Sequence, residues 1–549
     1  MRRGWLIPGL LALSSCTSAH AAMTVYATDG LTRVRPDDPP VIAASILIRA
    51  ARNEYEPFQV ILRAGDDALT GVSATASDLR SQDGSVIQAS NLTFYREQYV
   101  FVSKPSPRSP EGGGWYPDAL IPFVNPDAAL QHTPPRFPGA PFNVEAGRNQ
   151  PIWVDVYVPS ATPPGVYSGT VTVTAASEKP VALGVQLTVW NITLPDTPSM
   201  RSNFGKLGTD IAKAHGVQMN SLAFQAPEWK YAADLAAHRI SPIIPNLLYP
   251  KVLADGSIDF SRTHDALKRW MDTFHVTGFP IRLLGDDPAG RDRAQNVTHL
   301  RAMYAYLKAN GWEKTAYVYV MDEPNNAADY EEVRRRAKMI HDVQPGIKVL
   351  CTEQPLPPKK GWGTLVGSVD IWVPLWALWD EASVAEREHA GDEVWSYTAL
   401  CQGRKGLDTP YWAIDFPLLN YRIPAWINWR YGVSGLLYWS TVWWSVTPDM
   451  WTDPGTFRSH GETYNGEGAL FYPGSAAGID GPIVSIRLKQ IREGFEDYEY
   501  LKLLADRGER ADADEIVRTI ARSWTDWDKR SQALYDARGA IARRLVSGE

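Results

Sequence analysis

Two carboxylates stand side by side where an apolar run ends. Tyr317 to Met321 lead into Asp322 and Glu323, and Pro324 follows. The run is of strand type, and the proline stops it from simply continuing. Carboxylates at the C-terminal tip of a buried parallel strand sit where α/β barrels keep catalytic groups. An adjacent Asp and Glu can divide acid and base work when their surroundings push their pKa values apart. The same pair also suits the first turn of a helix, where acids meet the positive end of the dipole. These residues alone leave both readings open.

A site of this kind needs elements to hold it. From about residue 199, strand-like apolar runs alternate with helical patterns, the signature of βα units. Eight such runs are expected: 200–206, 240–246, 278–284, 316–323, 348–355, 369–376, 393–399 and 435–444. Helical segments are expected at 226–238, 262–276, 295–310, 326–343, 380–390 and 420–431. Eight units imply a (β/α)8 barrel, with Asp322 and Glu323 ending its fourth strand. Glu353 then ends the fifth strand and Trp376 and Trp379 follow the sixth. Trp395 and Tyr397 lie on the seventh, and Trp439, Trp443 and Trp444 on the eighth.

Before the barrel, residues 23–198 read as a meander of short strands separated by turn chemistry, an antiparallel β-sandwich. Residues 104–140 are rich in Pro and Gly and read as a long ordered loop. The expected domains are therefore a targeting segment at 1–22, a β-sandwich at 23–198 and a (β/α)8 barrel at 199–508. A C-terminal helical segment, 509–549, packs on the barrel. Mixed acids and bases along 486–504 and 512–545 are read as solvated helix faces.

Composition narrows the chemistry. Of 21 Trp residues, twelve lie between Trp362 and Trp451. Flat rings cover the apolar faces of sugars, although cores also claim them. Without residues 1–22 the chain carries 53 basic against 62 acidic residues and no basic run. That argues against a nucleic-acid surface. The ten His residues show no HxH, HExxH or HxxxH spacing, so no metal site is expected. There is no GxxxxGK[ST] loop, no GxGxxG after a strand and no GxSxG elbow. Kinase, dehydrogenase and serine-hydrolase readings lose their support, and no cofactor is called for. Cys351 and Cys401 read as buried free thiols.

Acids ringed by aromatics suit a glycosidase. A retaining enzyme with two carboxylates needs them about 5–5.5 Å apart across the scissile bond. Neighbours on one strand end rarely face each other that way, and the seventh strand ends in Tyr397-Thr398-Ala399, without an acid. Substrate assistance fits better: the sugar's own 2-acetamido oxygen attacks the anomeric carbon, one carboxylate holds the amide and the next donates the proton. Two alternatives stay open. One is cleavage of a non-acetamido sugar with Glu353 or Asp380 as second carboxylate; the other is a non-catalytic, lipid-anchored sugar-binding protein.

Several motifs carry a resemblance that spans most of the chain. They are Arg52 to Gln59 (RNEYEPFQ), Pro163 to Gly169 (PPGVYSG), Asp322-Glu323-Pro324, Asn465 to Gly468 (NGEG) with Leu470 to Gly474 (LFYPG), and Ser485 to Leu488 (SIRL) with Arg492 to Gly494 and Glu496 to Tyr498. Together they resemble glycoside hydrolase family 123 and the domain-of-unknown-function 4091 superfamily around it. The resemblance implies an exo-acting, retaining, metal-free β-N-acetylgalactosaminidase. It makes Glu323 the general acid/base and Asp322 the group that orients the acetamido N–H and stabilises the oxazolinium intermediate. Tyr397 is the candidate donor to the acetamido carbonyl. Trp439, Trp376 and Trp395 are candidate ring platforms, each with a core-packing alternative. Glu467 and Tyr472 could touch sugar hydroxyls or simply shape a turn. Arg487 and Arg492 read as ion-pair partners.

The N-terminus reads as a bacterial export signal. Arg2 and Arg3 precede an apolar stretch, Trp5 to Leu13, too short to span a membrane. Leu13-Ser14-Ser15-Cys16 resembles a lipobox, with Cys16 as lipid attachment point, and Ala19-His20-Ala21 fits an ordinary signal-peptidase site. Either one exports the protein, to the periplasm, the outer membrane or the medium.

Overall fold

The computed structural model describes residues 23–41, 45–127, 134–205, 208–402 and 406–547. The targeting segment and Cys16 lie outside the described residues.

Two sheets in the first part of the chain enclose one apolar core. One is antiparallel, in the order Thr24–Asp29, Glu54–Arg63, Asn149–Val158, Leu92–Val102, Gly114–Pro122. The other runs Ser45–Arg52, Val181–Thr193, Gly165–Thr174, Leu69–Ala76, Phe142–Val144. Alternation decides which side faces in. Leu183, Val185, Leu187 and Val189 are buried while the residues between them are exposed or half-buried, and they pack against Phe58, Val60, Ile152 and Val154 of the facing sheet. One expectation fails here: the Pro- and Gly-rich stretch after residue 104 is not all loop, because Gly114–Pro122 is a strand. It tolerates Pro117 and Pro122 because it is the edge of its sheet, and a register shift beside Tyr99 absorbs Pro117.

The second part is built on a parallel sheet of seven strands. Their order is Arg201–Phe204, Gly435–Tyr438, Glu393–Thr398, Ile371–Trp372, Lys348–Cys351, Ala316–Met321, Phe279–Pro280. Helices Gln225–Ala237, His264–Thr273, Arg293–Ala309, Ala327–Val343, Glu381–His389 and Leu419–Arg430 lie between them in sequence. The expected strand at 240–246 does not form. Its place is bridged through side chains: Ser241 N–H donates to Ser202 Oγ (2.8 Å), and Ser241 Oγ accepts from Thr277 N–H (3.1 Å). Arg201, on one edge strand, donates to Thr277 O beside the other edge and to Thr315 O. The sheet therefore curls until its edges nearly meet, without a closed backbone ladder. Tyr317, Leu350, Ile371, Val373, Trp395, Tyr397 and Leu437 fill the space inside it.

The helix Ile486–Asp506 runs between the two parts and corrects the expectation of a solvated face. Its residues are buried from Ile486 to Leu501, charges included. Arg487 binds Asp118 through both carboxylate oxygens (2.8 and 2.9 Å), and Arg492 binds Asp155 likewise (3.0 and 3.0 Å). Lys489 also reaches Asp155 (2.7 Å). Asp497 takes two bonds from Arg422 (2.6 and 2.7 Å), while Arg538 pairs with Glu54 and Glu56. A charge removed from water is tolerable when paired and fully hydrogen-bonded, and Asp118 and Asp155, which pair with this helix, come from the N-terminal sheets.

Candidate active site

The strand Ala316–Met321 delivers its two carboxylates to the surface: Asp322 and Glu323 are exposed, and Pro324 behind them is buried. Glu323 has φ of 42°, in the left-handed region. A non-glycine residue held there costs roughly 1–3 kcal/mol, and such strain gathers at functional sites. The bend is held from the neighbouring strand. Thr352 Oγ1 accepts from Glu323 N–H (2.8 Å) and donates to Asp322 Oδ1 (2.8 Å). One hydroxyl thus couples the two residues. Tyr319 hydroxyl donates to the same Asp322 oxygen (2.7 Å). The next strand but two contributes Tyr397, whose hydroxyl donates to Glu323 Oε1 (2.5 Å). Burial raises the Tyr397 phenol far above its usual range, and the Glu323 charge adds to that. It stays a donor at any working pH.

Behind this pair sits Glu353, 5% exposed. Burial pushes its carboxyl up to about 7; hydrogen bonding, including that from Gln354 N–H, opposes the rise and the charge of Glu323 adds to it. Asp380 is accounted for differently. Its carboxylate caps the helix Glu381–His389 by accepting from Ser383 N–H (2.8 Å).

Trp439 follows the tip of the strand next to that of Tyr397, since Tyr397 pairs with Leu437. It is half-buried, and its Nε1–H donates to Glu467 Oε1 (2.6 Å). Glu467 is itself buried, which raises its carboxyl to about 7 against the opposing pull of the Trp439 bond. It orients the ring and does not reach solvent. Gly468 has φ of 68°, and a Cβ there would come within 2.3 Å of the Trp439 ring, so only a glycine lets the loop come this close to the indole.

Other sequence candidates lie elsewhere. Trp376 is a core side chain, stacked on Trp524 at 4.6 Å. Trp395 lies deep inside the sheet, its Nε1–H on Glu393 Oε1 (2.7 Å) and the Arg201 guanidinium over its ring. Tyr472 is buried with its hydroxyl on Asp118 Oδ2 (2.7 Å), part of the contact with the N-terminal sheets. Strand register explains Trp395: it stands two residues before Tyr397 on the same face, one layer below the mouth. Tyr319 and Thr352 escaped the sequence reading. Strand parity was the available signal, because both point inward in the last layer beside the carboxylates. Among the described residues no group of three or more His, Cys, Asp or Glu is placed to hold a metal ion.

Comparison with known proteins adds to this geometry. The family model described as glycoside hydrolase 123, catalytic domain, matches residues 289–504, and that of the glycoside hydrolase 123 N-terminal domain matches 36–175. Among solved structures, a family 123 glycoside hydrolase from Clostridium perfringens, studied for glycolipid glycan hydrolysis, aligns with a TM-score of 0.69 at 13% identity. It covers 96% of this chain and 98% of that one. A β-D-glucuronidase from Dictyoglomus thermophilum aligns over 87% of this chain and 68% of its own at 9% identity, with a TM-score of only 0.29, too low to argue from. No match was found among curated proteins.

Proposed function

Since this chain belongs to glycoside hydrolase family 123, we propose that it is an exo-acting, retaining β-N-acetylgalactosaminidase that uses its substrate's acetamido group as nucleophile. One observation carries the reading: Asp322 and Glu323 are adjacent and coupled through a single Thr352 hydroxyl. Carboxylates so placed act together at one end of one sugar ring, as substrate assistance requires, and not from opposite faces. Asp322 accepts the acetamido N–H and stabilises the positive charge as the carbonyl oxygen closes on C1. Glu323 gives its proton to the glycosidic oxygen, and the leaving group departs with it. Glu323, now ionised, takes a proton from the water that opens the oxazolinium ion, so the configuration at C1 is retained. When substrate enters, Tyr397 turns its one proton from Glu323 Oε1 to the acetamido carbonyl, and Trp439 carries the apolar face of the ring.

A second reading is favoured by Glu353, the buried carboxyl beside Glu323. It is cleavage of a non-acetamido sugar with Glu353 as second carboxylate. Asp380, engaged as a helix cap, drops out of it. In either case the substrate is a glycan. The curled parallel sheet reads as a (β/α)8-type barrel whose second strand is replaced by the Ser241 bridge, and the 23–198 and 199–508 segments as its two domains. Residues 1–22 direct export, with a lipid on Cys16; Cys16→Ser then releases membrane-bound protein into the soluble fraction.

Aryl glycosides test the function. Rapid turnover of the N-acetylgalactosaminide with strong inhibition by a thiazoline analogue is expected. Turnover of a simple galactoside at equal rate, or a covalent sugar trapped on Glu353, moves the assignment to the second reading. Sugar binding without turnover of any glycoside supports the non-catalytic alternative.

A further inference from the structure

The mouth of the parallel sheet holds a cation that no catalytic step uses. Arg282 follows the edge strand Phe279–Pro280. Pro280 pairs with Tyr317, and Ile281 N–H donates to Tyr317 O (2.7 Å). Arg282 therefore comes level with Tyr319 on the neighbouring strand, at a strand spacing of about 4.8 Å. Tyr319 is the residue whose hydroxyl holds Asp322. Phe279, Ile281 and Leu283 all pack into the helix-side core, while Tyr317 and Tyr319 belong to the cluster inside the sheet. Alternation sets Arg282 on the inner face, and at this height it is exposed.

Its guanidinium is held from the side where the expected strand at 240–246 fails to form. It lies 4.1 Å from the centroid of the Tyr249 ring, and Nη2 donates to Asn246 Oδ1 (2.6 Å). Asn246 Nδ2 donates in turn to Asn220 Oδ1 (3.1 Å), which fixes the end of that amide that faces the arginine. Tyr249 is pinned by its own hydroxyl, which donates to Pro280 O. Among the described residues Arg282 forms no ion pair. A guanidinium carries five N–H donors in a planar fork. The Asn246 bond takes one, so donors remain for a ligand.

We propose that Arg282 is a specificity-determining residue, its fork binding the C4 and C6 hydroxyls of the terminal sugar. The inference rests on the β-N-acetylgalactosaminidase reading above and deepens it. Three strands separate Arg282 from Tyr397. In a sheet curled until its edges nearly meet, the two stand on opposite walls of the mouth. Tyr397 takes the carbonyl of the acetamido group on C2. Across a pyranose ring from C2 lies C5, which bears C6 and adjoins C4. The 4-hydroxyl and C6 lie on one side of the ring in the galacto series and on opposite sides in the gluco series. One fork reaches both hydroxyls of a galacto sugar and only one of a gluco sugar. A site built to hydrogen-bond a hydroxyl discriminates against the analogue that does not supply it there.

The test compares an aryl β-N-acetylgalactosaminide with the aryl β-N-acetylglucosaminide, which differ only at C4. Arg282→Met keeps the bulk of the side-chain stem and removes its donors. In it, kcat/KM for the galacto substrate relative to the gluco substrate falls about 10-fold. Arg282→Lys keeps the charge without the fork and lowers the ratio as well. A merely structural role slows both substrates together, so a ratio that stays or rises in both variants overturns the proposal. Faster turnover of a 4-O-sulfated N-acetylgalactosaminide than of the unsulfated sugar, lost in Arg282→Met, also overturns it, in favour of an anion site. If the unaltered protein turns over neither sugar, the glycosidase reading has failed instead. Arg282 is then read by tryptophan fluorescence on titration with free N-acetylgalactosamine and N-acetylglucosamine. A preference for the galacto sugar that Arg282→Met abolishes supports the proposal, and equal or absent binding of the two overturns it.

Discussion

The mouth of the parallel sheet and the helix Ile486–Asp506 use the same residue types to opposite ends. Both are rich in acids and tyrosines. Around the helix three buried acids face cations: Asp118 meets Arg487, Asp155 meets Arg492 and Lys489, and Asp497 meets Arg422. At the mouth, Asp322 and Glu323 are exposed and are held by the hydroxyls of Tyr319, Thr352 and Tyr397. A carboxylate locked to arginine has no proton to give and no free oxygen to offer. A carboxylate held by hydroxyls keeps both uses, because a hydroxyl orients it without cancelling its charge. The partner of an acid separates chemistry from architecture better than the acid itself does.

The sharpest way to break this contrast is at Glu323. Glu323→Gln should lower turnover of substrates with poor leaving groups about 10²–10⁴-fold, with a smaller loss for activated aryl glycosides and an unchanged urea midpoint. Asp322→Asn should slow both substrate types. Equal activity in Glu323→Gln on a poor leaving group would remove it from the chemistry.

On the other side, Asp155→Asn takes from Lys489 its paired carboxylate and leaves Arg492, still buried, with Glu493 in place of two acids. Loss of one partner of a buried pair costs about 3–5 kcal/mol, readable as a lower urea midpoint. Arg492 and Lys489 hold the Asp155 carboxyl far below its ordinary 3.8, against burial. Its contribution is therefore fully present above about pH 4 and is lost as the pH falls further. Asp155→Asn should flatten the acid limb of the stability curve.

Glu97 sharpens the comparison as a buried acid without a cation bonded to it. Both of its carboxylate oxygens lack a hydrogen-bond partner among the described residues, and burial raises its carboxyl from 4.5 to about 8, with Arg33 opposing weakly. The folded state binds a proton there that the unfolded state has released, so this group makes stability fall as pH rises between about 4.5 and 8. Glu97→Gln should remove that slope and raise the thermal midpoint at pH 8 above that of the unaltered protein. The smallest effect is expected for Glu467→Gln, which retains an oxygen for Trp439 Nε1 and should keep activity within about tenfold, whereas Trp439→Ala should cost more.

Much of the site was legible because its signals are local. The apolar run into Asp322-Glu323-Pro324 marks a strand tip, and the alternation of runs and helical patterns placed most of the parallel sheet. What stayed hidden depends on distant chain. Thr352 looks like any strand threonine until Asp322 and Glu323 are set beside it. Arg487, Arg492 and their acids look like a solvated helix face, because the partners lie 369 and 337 residues away. The run at 240–246 has strand composition, yet serine hydroxyls replace its ladder, which no periodicity reveals. Trp376 and Trp395 share the composition of a sugar platform with Trp439, and only depth tells them apart.

The long helix also sets a schedule. A ribosome delivers Asp118 and Asp155 hundreds of residues before the arginines that neutralise them, and Glu54 waits 484 residues for Arg538. Until then these acids belong in water, so the N-terminal sheets cannot bury the surface that the helix will cover. Contacts this far apart in sequence form late and slowly. A nascent chain of this protein therefore carries an unfinished, acid-studded face through most of its synthesis, and the molecule closes only when its last helices arrive.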